Sequence, residues 1–241
     1  MAEILGHDTG TAPILRDSEA IMTARRQFIA GSAALAASLL SPAVRAVEPE
    51  PIEGVHYVRI DPPAPVGIAA PTIEVVEFFS YGCTHCFALD PTVSQWARTL
   101  PSDVRFVRVP VAFRDDFVPQ QRLYYALESL GLLDSLHEKV FAAIHRERLA
   151  LARGTAIESW VAAQGVDAQV FAKHFHSFDV ATRASQAYQL QMAYRVEGVP
   201  SLGVAGRFYT DGQLARSNVR MLRVADFLIA QTRRQPAHQP D

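Results

Sequence analysis

The chain is predicted to fold as an α/β protein, a mixed β-sheet interrupted by an all-helical insertion. Three features of its 241 residues lead there. The run Ile73–Phe79 is apolar and rich in β-branched and aromatic residues, the pattern of a buried strand. Helical signals follow Gly82 and give way to an alternating run, Val104–Val109, so strand, helix and strand imply parallel pairing through a right-handed crossover. About 75 residues of helical pattern, Gln120 to Val196, then separate this unit from two short strands and a final helix.

The first 46 residues read as an address rather than fold. Arg25 and Arg26 precede an apolar run from Phe28 to Leu40, and Val44-Arg45-Ala46 offers the small residues a signal peptidase prefers. The run is short for a membrane span. Paired arginines resemble a twin-arginine export signal, with a Sec signal as the alternative. Met22 stands directly before this signal, so residues 1–21 read as an extension from an upstream start codon, or else as a genuine leader. Glu48 to Pro71 is proline-rich, with a short strand expected around His56–Ile60 at a sheet edge.

The chemistry centres on Cys83 and Cys86, the only two cysteines. Cys83 falls where the strand hands over to a helix expected to run to about Leu100, and Cys86 lies one turn on. Unpaired N–H groups and the dipole at a helix start stabilise a thiolate, so Cys83 is expected to ionise readily and attack, while the deeper Cys86 resolves the mixed disulfide. His85, when protonated, adds a second positive charge. A zinc site would need four ligands and no second cysteine pair exists, so no metal is assigned. A structural staple across three residues would stabilise the fold little. The net charge of −2 argues against a nucleic-acid partner.

In the helical stretch, Leu123, Tyr124, Leu127 and Leu130 share one face, and Leu136, Val140, Phe141 and Ile144 share another. Gly131 and Gly154 punctuate it. Thr155-Ala-Ile-Glu158 reads as a capping box, Gly165-Val-Asp167 as a second helix start, and Ser185–Arg195 as the last helix. His137, His145, His174 and His176 read as surface residues. Ser201–Val204 and Arg207–Tyr209 read as a hairpin joined through Ala205-Gly206. Asn218 is expected to cap an amphipathic helix carrying Met221, Leu222, Val224, Ala225, Leu228 and Ile229, with the chain fraying from Arg233.

Glu-Phe-Phe-Ser before the CxxC, the helical insert, and Gly-Val-Pro before the hairpin together resemble the DsbA family of thioredoxin-like oxidases, over roughly Val55 to Gln231. The resemblance implies a thioredoxin-like domain over residues 47–114 and 197–241, with residues 115–196 inserted. Cys83 matches the nucleophile, Cys86 the resolving thiol, and Pro200 a cis-proline whose loop faces the pair; a trans turn proline is the alternative. Val199 would offer backbone hydrogen bonds to an extended substrate, beside Phe87 and Thr84. Glu77 matches a buried carboxylate serving proton transfer near Cys86, or else a core carboxylate satisfied by a neighbour. Arg108 stands where some relatives place a lysine paired with that glutamate, and is otherwise a solvated strand residue. Thr84-His85 replaces the Pro-His of the best-known members, so the potential need not match theirs.

The resemblance implies a periplasmic disulfide oxidase. It would act as a monomer, need no cofactor beyond its redox-active disulfide, oxidise reduced exported proteins and be regenerated by a DsbB-like membrane quinone reductase. An exported reductase or isomerase is the second reading, and a metal chaperone using the cysteine pair the third.

Overall fold

A computed structural model describes residues 49–68 and 70–235, so the expected export signal lies outside the described residues. Among the described residues five strands form one sheet in the order β1-β5-β4-β2-β3. They are β1 (Val58–Arg59), β2 (Ile73–Phe79), β3 (Val104–Pro110), β4 (Ser201–Val204) and β5 (Phe208–Asp211). Only β2 and β3 run parallel, joined by the crossover helix α1 (Thr84–Ala97). The other pairs are antiparallel, and β1 lies at the edge beside β5.

Every residue of the central strand β2 is buried, the apolar Ile73, Val75, Val76, Phe78 and Phe79 together with the carboxylates Glu74 and Glu77. Ile73 and Val75 pack with Leu89 and Val93 of α1 and with the terminal helix α7 (Asn218–Arg234). Val76 and Phe78 join the larger core built with α2 (Val118–Ser129), α3 (Leu133–His145), α4 (Gly154–Ala163), α5 (Ala168–Phe175) and α6 (Phe178–Ala193). Pro91 lies inside α1, where it removes one N–H from the helix ladder, and α1 stops at Ala97, three residues short of the expected Leu100.

Other boundaries differ from the sequence pattern for local reasons. The capping box at Thr155 does not form: Arg153 is the N-cap and α4 begins at Gly154, which lies against the Phe175 ring. Glu158 instead accepts from His176 Nε2 at 2.8 Å. Asp167 does cap α5 through its carboxylate. The last insert helix starts at Phe178, seven residues before Ser185, because the Ser177 hydroxyl accepts the Val180 N–H at 3.1 Å. Ser217, not Asn218, caps α7, since the Asn218 amide lies against Gly212. Arg233 does not fray; both its Nε and Nη reach Asp103 at 2.7 Å.

The hairpin turn between β4 and β5 places Ala205 and Gly206 at positive φ (53° and 70°) and closes through Arg207 N–H to Val204 O at 3.0 Å. Tyr194 locks this hairpin to the core: its ring meets Phe78 edge-on at 5.2 Å and its hydroxyl accepts the Gly206 N–H at 2.9 Å. Gly203 lies beneath that ring, and a Cβ there would drive into it. Gly203→Ala is expected to cost about 1–3 kcal/mol in urea unfolding, with Gly198→Ala, which meets open space, as the control.

Candidate active site

A tight turn carries the chain from β2 into α1. Gly82 N–H reaches Ser80 Oγ at 3.2 Å and Cys83 N–H reaches Ser80 O at 3.1 Å. Cys83 is then the N-cap of α1, with extended backbone, and its Sγ accepts the Cys86 N–H at 3.3 Å. A sulfur thus occupies the capping position that Ser or Asp oxygen ordinarily fills. The Cys83 thiol is lowered to about 6, first by the Cys86 side chain donating to it. The backbone amides of Cys86 and His85 and the His85 charge add to this, against partial burial.

Cys86 behaves oppositely. It is 1% exposed, and burial pushes its thiol far up, helped by the bond to Cys83 and the nearby Glu77 charge. The sulfurs are unbridged, one half-buried and one sealed. The pair is therefore divided into an ionisable, reachable thiol and a protonated, hidden one.

The β4 loop arrives from 116 residues away: Cys83 Sγ donates to the Val199 carbonyl at 3.3 Å, and the Val199–Pro200 peptide is cis. Val199 is half-buried and Pro200 buried. Phe87 is half-buried, its ring stacked on His145 at 4.8 Å with Arg146 over it at 5.3 Å. His145 Nε2 in turn donates to Tyr81 O at 2.8 Å. Thr84 and His85 are exposed.

Below the sulfurs runs a buried polar chain. Glu77 and Arg108 are direct cross-strand partners in the β2–β3 register, and Arg108 Nε donates to Glu77 Oε2 at 2.9 Å. Glu77 is 2% exposed; burial raises its carboxyl to about 7, with Arg108 opposing and Asp90 adding to the rise. Arg108 also donates to Asp90 Oδ1 and to Ser94 Oγ. His137 Nε2 lies 3.1 Å from the same Asp90 oxygen and its Nδ1 lies 2.8 Å from the Tyr81 hydroxyl. So Arg108 is a partner of Glu77 rather than a solvated strand residue. His137 is a core residue, 7% exposed, and His145 is half-buried, contrary to their reading as surface positions. Both lie on the face of α3 turned to the α1 turn, where hydrogen bonds satisfy their rings. His174 is half-buried, bonded to Ser129, and only His176 is fully exposed. Among the described residues no group of three or more His, Cys, Asp or Glu is placed to hold a metal ion.

A family model described as a DSBA-like thioredoxin domain matches residues 107–226. The thiol:disulfide interchange protein DsbA of Bordetella pertussis is 42% identical over 209 residues, which span 86% of this chain and 97% of that protein. The chain belongs to the DsbA family. It is a thiol:disulfide oxidoreductase. Among solved structures, Pseudomonas aeruginosa DsbA is similar with a TM-score of 0.73 at 38% identity, covering 76% of this chain and 95% of that one. The DsbA oxidoreductase of Xylella fastidiosa has a TM-score of 0.71 at 31% identity, covering 76% and 98%.

Sequence reasoning missed Asp90, Ser94, Tyr81 and His137 in this DsbA site. Asp90 carried one signal: it stands four residues after Cys86, on the same helix face, between Leu89 and Pro91. His137 carried none, since only tertiary packing brings α3 under α1.

The Cys83 shift has a defined consequence for stability. The folded thiol lies at about 6 and an unfolded one near ~8.5, so between these values the unfolded chain binds more proton. The reduced protein is therefore expected to gain stability as pH rises from 6 to ~8.5, on the order of 1–2 kcal/mol relative to Cys83→Ala with solvent screening of a partly exposed sulfur allowed for. Denaturation of both proteins across that range checks it, together with an ultraviolet thiolate titration whose midpoint should fall near 6.

Proposed function

We propose that this DsbA-family chain works in the periplasm as a monomeric disulfide oxidase, passing the Cys83–Cys86 disulfide to newly exported proteins. The observation that carries this reading is the division of the pair: a capping, easily ionised sulfur on Cys83 and a buried, protonated one on Cys86. The more a thiolate is stabilised, the more the reduced pair is favoured and the stronger an oxidant its disulfide becomes. The redox group is the disulfide itself.

In the forward step a substrate thiolate attacks Cys83 Sγ, the Cys83–Cys86 bond breaks, and Cys86 leaves as a thiolate. Cys86 is buried where its charge is costly, so it takes a proton, and Glu77 is the group we assign to supply it. A second substrate thiolate then attacks the substrate sulfur of the mixed disulfide. Cys83 departs as the thiolate that the Cys86 N–H and the helix start hold. Two substrate thiols have become a disulfide, and the enzyme carries the electron pair. A DsbB-like membrane quinone reductase would remove it.

Val199 and Pro200 are assigned to hold the substrate backbone beside Cys83, with Thr84 and Phe87 contacting its side chains and His85 adding charge near the sulfur. Residues 47–114 and 197–241 would form the catalytic domain, and residues 115–196 the insertion. That α3 bonds to the turn before Cys83 through His145 supports a site shared by the two.

The redox potential decides between oxidase and reductase. Equilibration with glutathione is expected to place the pair on the oxidising side; a value of about −120 mV would support an oxidase, whereas about −270 mV would assign a reductase. Cys86→Ser should accumulate mixed disulfides with reduced substrates, and Cys83→Ser should form none. Glu77→Gln is expected to slow release of Cys86 on the order of 10²-fold. In the wild type that step, corrected for substrate thiolate, should weaken as pH rises through about 7, where Glu77 gives up its proton. A Glu77→Gln protein with the same rate and pH profile would remove Glu77 from the mechanism.

A further inference from the structure

Two buried carboxylates share one guanidinium beneath the cysteines. Arg108 gives Nε to Glu77 at 2.9 Å and an Nη to Asp90 at 3.1 Å. Glu77 is 2% exposed and Asp90 4%. With both ionised, the trio holds one net negative charge away from water, so one of the two acids retains a proton more readily than an exposed carboxyl would. The remaining donors decide which.

Asp90 Oδ1 has a second donor within reach, His137 Nε2 at 3.1 Å. An ionised Asp90 only accepts, so that nitrogen must carry hydrogen. In a neutral ring the lone pair then sits on Nδ1, where the Tyr81 hydroxyl, 2.8 Å away, donates to it. With Asp90 ionised the order runs Tyr81 O–H to His137, His137 N–H to Asp90, with Arg108 between Asp90 and Glu77.

We infer that Tyr81 and His137 are positioning residues which keep Asp90 ionised and so place the shared proton on Glu77. The groups facing His137 are Asp90 on α1, Arg108 on β3, Tyr81 in the turn before α1, the Tyr124 ring on α2 at 6.1 Å, and Glu138 on its own helix. Burial lowers the His137 pKa despite the pull of Asp90 and Glu138, and Arg108 opposes a charged ring as well. Burial raises the Tyr81 hydroxyl far up, so it stays a donor. Burial alone would raise Asp90, yet His137 first, then the Arg108 charge and the Ser94 hydroxyl, hold it below the ordinary carboxylate value. Burial raises Glu77 to about 7, with the Asp90 charge adding to the rise and Arg108, which Asp90 shares, opposing it.

This deepens the proton-transfer reading of Glu77 and rests on it for functional meaning, since a carboxyl must hold a proton in order to hand it to Cys86. Its test is separate. The side-chain carboxyls of Glu77 and Asp90 are followed by ¹³C NMR titration of the reduced full chain, with signals assigned through Glu77→Gln and Asp90→Asn. His137→Phe keeps a ring but no donor, and is expected to lower the Glu77 midpoint by about one unit or more while raising that of Asp90. His137→Gln retains an amide donor and should hold both midpoints within about half a unit of the wild type. Tyr81→Phe, which frees the tautomer, should shift them in the direction of His137→Phe by a smaller amount, and carries the comparison if His137→Phe does not fold. Unmoved midpoints in His137→Phe and Tyr81→Phe overturn the inference, as does an equal fall in His137→Gln. Failure of the proton-transfer reading would show elsewhere, as an unchanged pH profile in Glu77→Gln, and leaves these midpoints intact.

Discussion

The N–H of Cys86 reaches back 3.3 Å to the sulfur of Cys83, and much of the surrounding structure serves to hold that sulfur where the helix begins. Strand β2 delivers the chain to the centre of the sheet. The Ser80–Cys83 turn lifts it out of the strand, and α1 then starts with its free amides aimed at one atom. The fold thereby gives two chemically identical side chains, three residues apart, opposite acid strengths. One sulfur accepts hydrogen bonds at a helix end, and the other loses its water.

A buried polar chain lies beneath Cys86. A carboxyl group deep in a sheet is costly unless it is paired. The parallel register supplies the pairing by setting Arg108 directly across from Glu77. Burial raises the Glu77 carboxyl to about 7 against the pull of Arg108, which also donates to Asp90, and the Asp90 charge adds to the rise.

The helical insert takes part in this arrangement. Helix α3 brings His137 to Asp90 and Tyr81, and His145 to the Phe87 ring and the Tyr81 carbonyl. The insert therefore braces the turn that presents Cys83 as well as covering one face of the sheet. Its aromatic residues continue the brace, with Phe141 packed edge-on against Tyr81 at 5.0 Å.

Local pattern by itself determined the strands, the CxxC at a helix start, the hairpin and the Asp167 cap, because each depends on residues within a few positions of one another. The Glu77–Arg108 pair was half legible: the family resemblance set the two positions together, but sequence does not say which way an arginine on a half-buried strand turns. Where caps were misplaced, a distant contact had overruled the local one, as Phe175 does at Gly154 and Gly212 does at Asn218. The tertiary structure alone decided that His137, with no partner nearby in sequence, lies under α1; that the Val199 loop faces Cys83 was implied by the family resemblance, and the structure supplies the contact itself. Those positions come from how helices pack across a sheet, and a hydrogen bond between residues 47 or 116 apart leaves no periodic trace in the chain.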